Sequence, residues 1–207
     1  MEKYEEKELE KEVDAELEKE ENMPIWKQIG IFIYETVRLI VFVFLAVLLI
    51  RTFIVQPFFV VGESMMPNLE NGDYLLVDEI SYRFKSPERG DIIVFKFPLN
   101  PSENYIKRII GLPGERVEIG DGKITIINKE SPDGLTLSEE YIQKNNNTDG
   151  GVSKQLGPDE YFVLGDNRHA SSDSRSWGIL PRDKIIGRSF IVIFPWDRFH
   201  IINNPDY

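Results

Sequence analysis

The sequence predicts a mainly β domain carried behind a single apolar helix. Three observations predict it. From Asp73 onward, short runs rich in β-branched and aromatic residues recur, bounded by Gly, Pro, Asn and Asp. Ahead of them the 22 residues from Ile29 to Ile50 carry only two charges, Glu35 and Arg38. The whole chain has 207 residues, 42% hydrophobic, with 12 prolines spread along it, enough for one good core and a small second lobe.

Residues 1–24 hold eleven acids and four lysines, a net charge of −7. Such a stretch buries too little apolar surface to offset its ordering entropy, so it reads as a solvated acidic tail, with a docking helix as the alternative. Ile29 to Ile50 would be about 33 Å long as a helix, enough to cross a bilayer. Glu35 and Arg38 lie one turn apart near its start, where they can pair or reach headgroups. The soluble alternative is a core helix over the twelve uncharged residues Leu39 to Ile50. No small-x-small pair follows in Arg51 to Pro57, so the segment is expected to remain as an anchor. Lys19 and Lys27 precede the span and Arg51 follows, which places the tail in the cytoplasm and the large domain outside. The expected organisation is a tail over 1–24, an anchor over 25–52 and an extracytoplasmic domain over 53–207, with a small inserted lobe at about 118–158.

Within that domain Asp73 to Val77, Asp91 to Phe97, Tyr105 to Ile110, Tyr161 to Leu164 and Ser189 to Phe194 read as strands. Val117 to Ile126 reads as a hairpin turning at Asp121-Gly122, a pair suited to positive φ. The chain then becomes polar from about Ile127 to Gly157, with Asn145 to Gly151 as its loosest stretch. Phe53 to Val61 fits either a core strand or an aromatic segment dipping into the bilayer.

Composition excludes several functions. The chain has no cysteine, so it has neither a disulfide framework nor a thiolate metal site, and its two histidines argue against a histidine site. No metal or cofactor is expected. A net charge of −11 argues against nucleic acid as a partner.

Two residues suggest chemistry. Ser64, in Val61-Gly-Glu-Ser-Met-Met-Pro-Asn-Leu69, needs a base to become a nucleophile. Lys107, in Tyr105-Ile-Lys-Arg-Ile-Ile-Gly-Leu-Pro-Gly114, sits among isoleucines whose desolvation would favour the neutral amine. The alternative base is His169, completing a triad of Ser64, His169 and Asp173.

These segments resemble the type I signal peptidases of Gram-positive bacteria. Gly62-x-Ser-Met-x-Pro-x-Leu69 resembles the family's nucleophile box, and Gly72-Asp73 with Leu75 and Val77 its next box. Arg89-Gly-Asp-Ile-Ile-Val-Phe95 with Tyr105 to Gly114 resembles the general-base box, and Gly165-Asp-Asn-Arg-x-x-Ser-x-Asp-Ser-Arg-x-Trp-Gly178 the last. The resemblance runs from about Val55 to Pro195 and implies a β-fold shared with LexA-like self-cleaving repressors. It implies a serine endopeptidase that removes signal peptides after Ala-x-Ala-like sites, with Ser64 as nucleophile and Lys107 as general base. Ser171 would orient the lysine, Asp173 and Arg175 would form a supporting ion pair, and Phe58, Val60, Met65, Leu69, Tyr105 and Ile106 would line shallow pockets for small side chains.

Where some members carry a serine that helps hold the oxyanion, this chain has Gly62; the hole would then rest on the Ser64 N–H. Asn68 stands where threonine is common, an exchange expected to matter little. Preproteins and the lipid bilayer are the implied partners, proximity to the secretion translocon is implied as well, and the implied location is the cell membrane. A membrane-tethered β module that binds exported peptides without cutting them is the non-enzymatic alternative. A self-cleaving repressor would need a DNA-binding module where this chain has the acidic tail and anchor.

Overall fold

The computed structural model describes residues 24–53, 55–143, 146–205 and 207. The expected acidic tail lies outside them except for its last residue. The chain divides into two units, 1–50 and 51–207.

The described part of the first unit is Pro24 and most of helix α1, which runs over Ile25–Phe53 and ends just past the unit boundary. Its span Ile25–Leu48 has a mean hydropathy of 2.3 and none of it is buried. Phe32, Ile33 and Tyr34, successive residues about 100° apart around the helix, are all exposed, so no single stripe is set aside for a protein core. A helix that is apolar all round and unburied calls for a nonaqueous surrounding. It is long and apolar enough to cross a membrane.

The second unit is built on β1 (Val55–Phe59), β2 (Tyr74–Asp78), the short α2 (Ser81–Phe84), β3 (Ile92–Lys96) and β4 (Asn104–Gly111). The chain continues through β5 (Arg116–Gly120), β6 (Lys123–Ile127), β7 (Leu135–Thr136), β8 (Val152–Gln155) and β9 (Glu160–Leu164). It closes with the four-residue α3 (Ser174–Trp177), β10 (Leu180–Pro181), β11 (Ile185–Phe194) and β12 (His200–Ile201). One sheet has the order β1-β2-β11-β3-β4-β9-β10 with β12 beside β11; a second has the order β7-β6-β5-β8. The described pairings are antiparallel.

Each strand can be read from its residues. Leu75 and Val77 alternate inward on β2, whereas β3 buries the continuous run Ile92 to Phe95, as a central strand covered on both faces does. The β5–β6 hairpin turns at Asp121 (φ 53°) and Gly122 (φ 72°), two positive-φ residues as a tight two-residue turn requires. On β11 the sequence marks only Ser189 to Phe194, but the strand begins at Ile185. Gly187 lies inside it, at a register shift against β3, where a Cβ would sit 2.8 Å from the Val77 side chain. The glycine therefore permits a close strand approach instead of ending the strand.

The second sheet is not an independent lobe. Val117, Ile119, Ile124, Ile126, Leu137 and Leu156 share one core with Ile110, Phe162 and Leu164 of the first sheet. Nor is the described part of Asn145 to Gly151 loose: Asn146 and Thr148 are buried, and the Asn146 amide donates to the Asp166 carbonyl at 2.5 Å. Asn145 lies outside the described residues.

Candidate active site

Ser64 sits on the loop between β1 and β2. The loop is closed at its neck by Val60 N–H to Asp73 O (2.8 Å) and Gly72 N–H to Val60 O (3.0 Å). Beneath it Val60, Met65 and Leu69 bury themselves with Leu75, Ile92 and Val192, so the loop is packed as core. Arg198 fixes its far side, donating from Nε to Asp73 at 3.0 Å and pairing with Glu70. From the opposite side Asn167 N–H donates to the Ser64 carbonyl at 3.0 Å. Among the described residues the Ser64 N–H itself makes no hydrogen bond and remains available to an oxyanion.

Lys107 lies in the middle of β4, opposite Ile93 on β3. It is 4% exposed, and its Nζ donates to Ser64 Oγ at 2.7 Å and to the Ile106 carbonyl at 2.8 Å. Burial disfavours the ammonium and brings its pKa down to about 8, while the charges of Asp173 and Asp166 pull the other way. A neutral amine within hydrogen-bond reach of a hydroxyl can take its proton.

The remaining expected residues gather behind this pair. Gly165 follows β9, and a Cβ there would lie 2.5 Å from both the Ser171 Cβ and the Ser64 carbonyl oxygen. Ser171 and the Ser64 carbonyl thus both pack against Gly165. Among the described residues the Ser171 hydroxyl, though buried, has no hydrogen-bond partner, so the bond to Lys107 implied by the resemblance is not formed in this structure. Asp173 and Arg175 pair through two bonds of 2.8 Å, and Asp173 also accepts from the N–H groups of Gly165 and Arg175, both at 3.2 Å. That carboxylate is committed to Arg175, and the group hydrogen-bonded to Ser64 Oγ is the Lys107 amine, which is not the geometry of a Ser64, His169, Asp173 triad. Gly62 has φ +99° and donates to Asn71 Oδ1 at 2.9 Å. Of the expected pocket residues, Met65 and Leu69 are fully buried and Val60 nearly so, whereas Phe58, Tyr105 and Ile106 are partly exposed. Only the latter three offer appreciable surface to a ligand.

Sequence reasoning missed the polar web on the other side of β4. Arg108 grips Asp166 through bonds of 2.8 and 2.7 Å, and its guanidinium lies 4.2 Å from the Tyr141 ring centroid. Asn68, expected to matter little, donates to both Asp166 (2.8 Å) and the Tyr141 carbonyl (3.0 Å). It ties the Ser64 loop to the inserted segment directly and to β4 through Asp166, the partner of Arg108. A charged residue beside Lys107 in an otherwise apolar strand was the available signal. Among the described residues no group of three or more His, Asp or Glu is placed to hold a metal ion.

The family model for signal peptidase, peptidase S26, matches residues 33–196. The chain belongs to this signal peptidase family. It is 43% identical to a signal peptidase I of Leptolyngbya laminosa, over 75% of this chain and 77% of that one. It is 35% identical to signal peptidase I P of Bacillus subtilis subsp. natto, over 80% of this chain and 91% of that one. The crystal structure of a signal peptidase I from Enterococcus faecalis V583 is 36% identical, covers 50% of this chain and 97% of its own, and superposes with a TM-score of 0.43. The signal peptidases are serine endopeptidases, and the Ser64 and Lys107 boxes both fall inside the matched region.

Proposed function

We propose that this signal peptidase cleaves preproteins by a Ser64 and Lys107 dyad, and that both its anchor and part of its β domain contact the lipid bilayer. The observation that carries the dyad is the 2.7 Å bond from a buried lysine to Ser64 Oγ. Neutral Lys107 takes the hydroxyl proton as Oγ attacks the scissile carbonyl, and the Ser64 N–H meets the oxyanion. The ammonium then gives its proton to the leaving amine, so an acyl-enzyme remains and the lysine is neutral again. Water, losing a proton to the same lysine, adds to the ester carbonyl; the ammonium then returns that proton to Ser64 Oγ as it leaves, which frees the product carboxyl and restores the neutral amine. Asp173 and Arg175 hold the Gly165 turn, on which both Ser171 and the Ser64 carbonyl pack.

β1 is an edge strand and carries Pro57, a residue suited to an unpaired edge. A preprotein segment would add along it as a strand, with Phe58, Tyr105 and Ile106 restricting the side chains beside the cut. Lipid contact is supported by an exposed aromatic row on the β domain, Phe59, Tyr74, Phe194 and Trp196, with successive ring centroids 4.9, 5.9 and 6.1 Å apart. Such a patch suits the membrane interface. The positions of Lys19, Lys27 and Arg51 favour a cytoplasmic N-terminus and an external domain, at the cell membrane near the site where preproteins emerge from the translocon.

The test is cleavage of a preprotein carrying an Ala-x-Ala site by the detergent-solubilised chain, with the product N-terminus sequenced. Cutting directly after the site, lost in both Ser64→Ala and Lys107→Ala, is expected. Cutting retained in Lys107→Ala and lost on replacing His169 would restore the triad. No cutting by folded wild type would leave a binding module.

A further inference from the structure

A cleft of about 600 Å³ takes in Phe58 of the proposed substrate surface, and the dyad mechanism does not use it. Gln56 and Phe58 of β1 form one wall, and Lys96 of β3 and Asn104 of β4 form another. Lys96 and Asn104 are register partners, so they stand side by side at one end of the β3–β4 pair. The position of the cleft follows from the strands. Asn104 lies two positions before Ile106, on the same face of β4, and its backbone is about 10 Å along the strand from that of Lys107 at the usual strand rise. Phe58 belongs both to this cleft and to the apolar surface proposed beside the cut. The cleft is therefore the outward continuation of the surface that would hold the residues just before the scissile bond. An extended substrate advances about 3.3 Å per residue, so the segment reaching the cleft is the one four to six positions before the cut.

Its charge runs against that of the protein. Arg83, Lys96 and Lys184 face Glu79 and Asp183, three cations to two anions in a chain of net charge −11. Lys184 shares its charge with Asp183 at 3.4 Å, and Arg83 acts on Glu79. Among the described residues Lys96 has no ion-pair partner, and it stands next to the amide of Asn104. The cleft thus pairs an unneutralised ammonium with carboxamide groups from Gln56 and Asn104, a set that favours carboxylates and backbone carbonyls over cations.

We infer that this cleft is a specificity subsite for the polar stretch of the preprotein four to six residues before the cut, and that Lys96 makes it prefer an acidic side chain to a basic one. The inference rests on the signal peptidase reading and adds a determinant to it. It is tested with preproteins that share one Ala-x-Ala site and carry Glu, Gln or Lys singly at each of those three positions, cut by wild type, Lys96→Gln and Lys96→Glu. The expected result for wild type is a kcat/KM about threefold to fivefold higher for Glu than for Lys at one of the positions, the scale of a solvent-accessible ion pair. The ratio shrinks at high salt, disappears in Lys96→Gln and reverses in Lys96→Glu. Because it compares substrates on one enzyme, a general loss of activity in a variant does not alter the reading. Equal rates for Glu and Lys at all three positions, or a preference that survives Lys96→Glu, would overturn the subsite while the cleavage reading stands. Failure of wild type to cut any of these substrates would overturn both.

Discussion

Lys107 and Arg108 are neighbours on one strand and are almost equally buried, 4% and 2% exposed, yet their surroundings drive them in opposite directions. Burial disfavours charge on both. Around Lys107 nothing within hydrogen-bond reach cancels that cost, since its partners are a hydroxyl and a carbonyl, and the pKa falls to about 8. Around Arg108 the bidentate carboxylate of Asp166 overcomes burial, and the pKa rises above its ordinary value. Because β4 alternates its side chains, one face carries a cation able to give up its proton and the other a cation that never does. The lesson is that burial prepares a base only where the matching carboxylate is kept at a distance.

The strongest challenge to this contrast is to make the two residues alike. Lys107→Arg keeps a buried cation but removes any neutral form, so kcat/KM for a preprotein is expected to fall by at least about 10³-fold, like Lys107→Ala, with a cooperative melting transition retained. Next is removal of the partner. Asp166→Asn leaves Arg108 buried without its carboxylate and is expected to cost about 3–5 kcal/mol in chemical denaturation. A third check is the pH profile. The proposed mechanism requires the neutral amine, so log kcat/KM should rise with pH up to about 8 and drop by about one unit for each pH unit below it. Asp173 raises the Lys107 pKa, so Asp173→Asn should move this limb to lower pH. A profile flat down to about pH 5 would rule out Lys107 as the base. Smaller still, Asn68→Ala should lower stability by about 1 kcal/mol, the usual worth of a part-buried amide bond. Restoring a side-chain donor by Gly62→Ser should bring little gain, because φ +99° at that position strains any L residue by roughly 1–2 kcal/mol; melting temperature and kcat measured together would show it.

The parts of this molecule that could be read from its residues are those written in local patterns. The alternating run of β2, the continuous apolar run of β3 and the Asp121-Gly122 turn each follow from neighbours in sequence. The pairing of Ser64 with Lys107 came from the chemistry of a serine that needs a base, supported by the order of the motif boxes. What escaped was set by contacts across the fold. Gly187 was kept within β11 by a crossing strand, and Asn146 by a carbonyl twenty positions away. Asn68 drew its importance from Asp166 and Tyr141, neither of which lies near it in sequence. The burial of Met65 and Leu69 was missed for a similar reason, since an apolar side chain looks the same whether it lines a pocket or supports its floor.

The closed neck of the nucleophile loop also bears on how an intact enzyme can be recognised without any substrate. The two bonds between the Val60 and Asp73 ends join the bases of the loop, so solvent reaches those amides only when the loop as a whole lifts from the core beneath it. Slow deuterium uptake at Val60 and Gly72 would therefore be a tally of molecules whose serine is correctly mounted, and its loss would reveal a damaged catalyst whose sheets are otherwise whole.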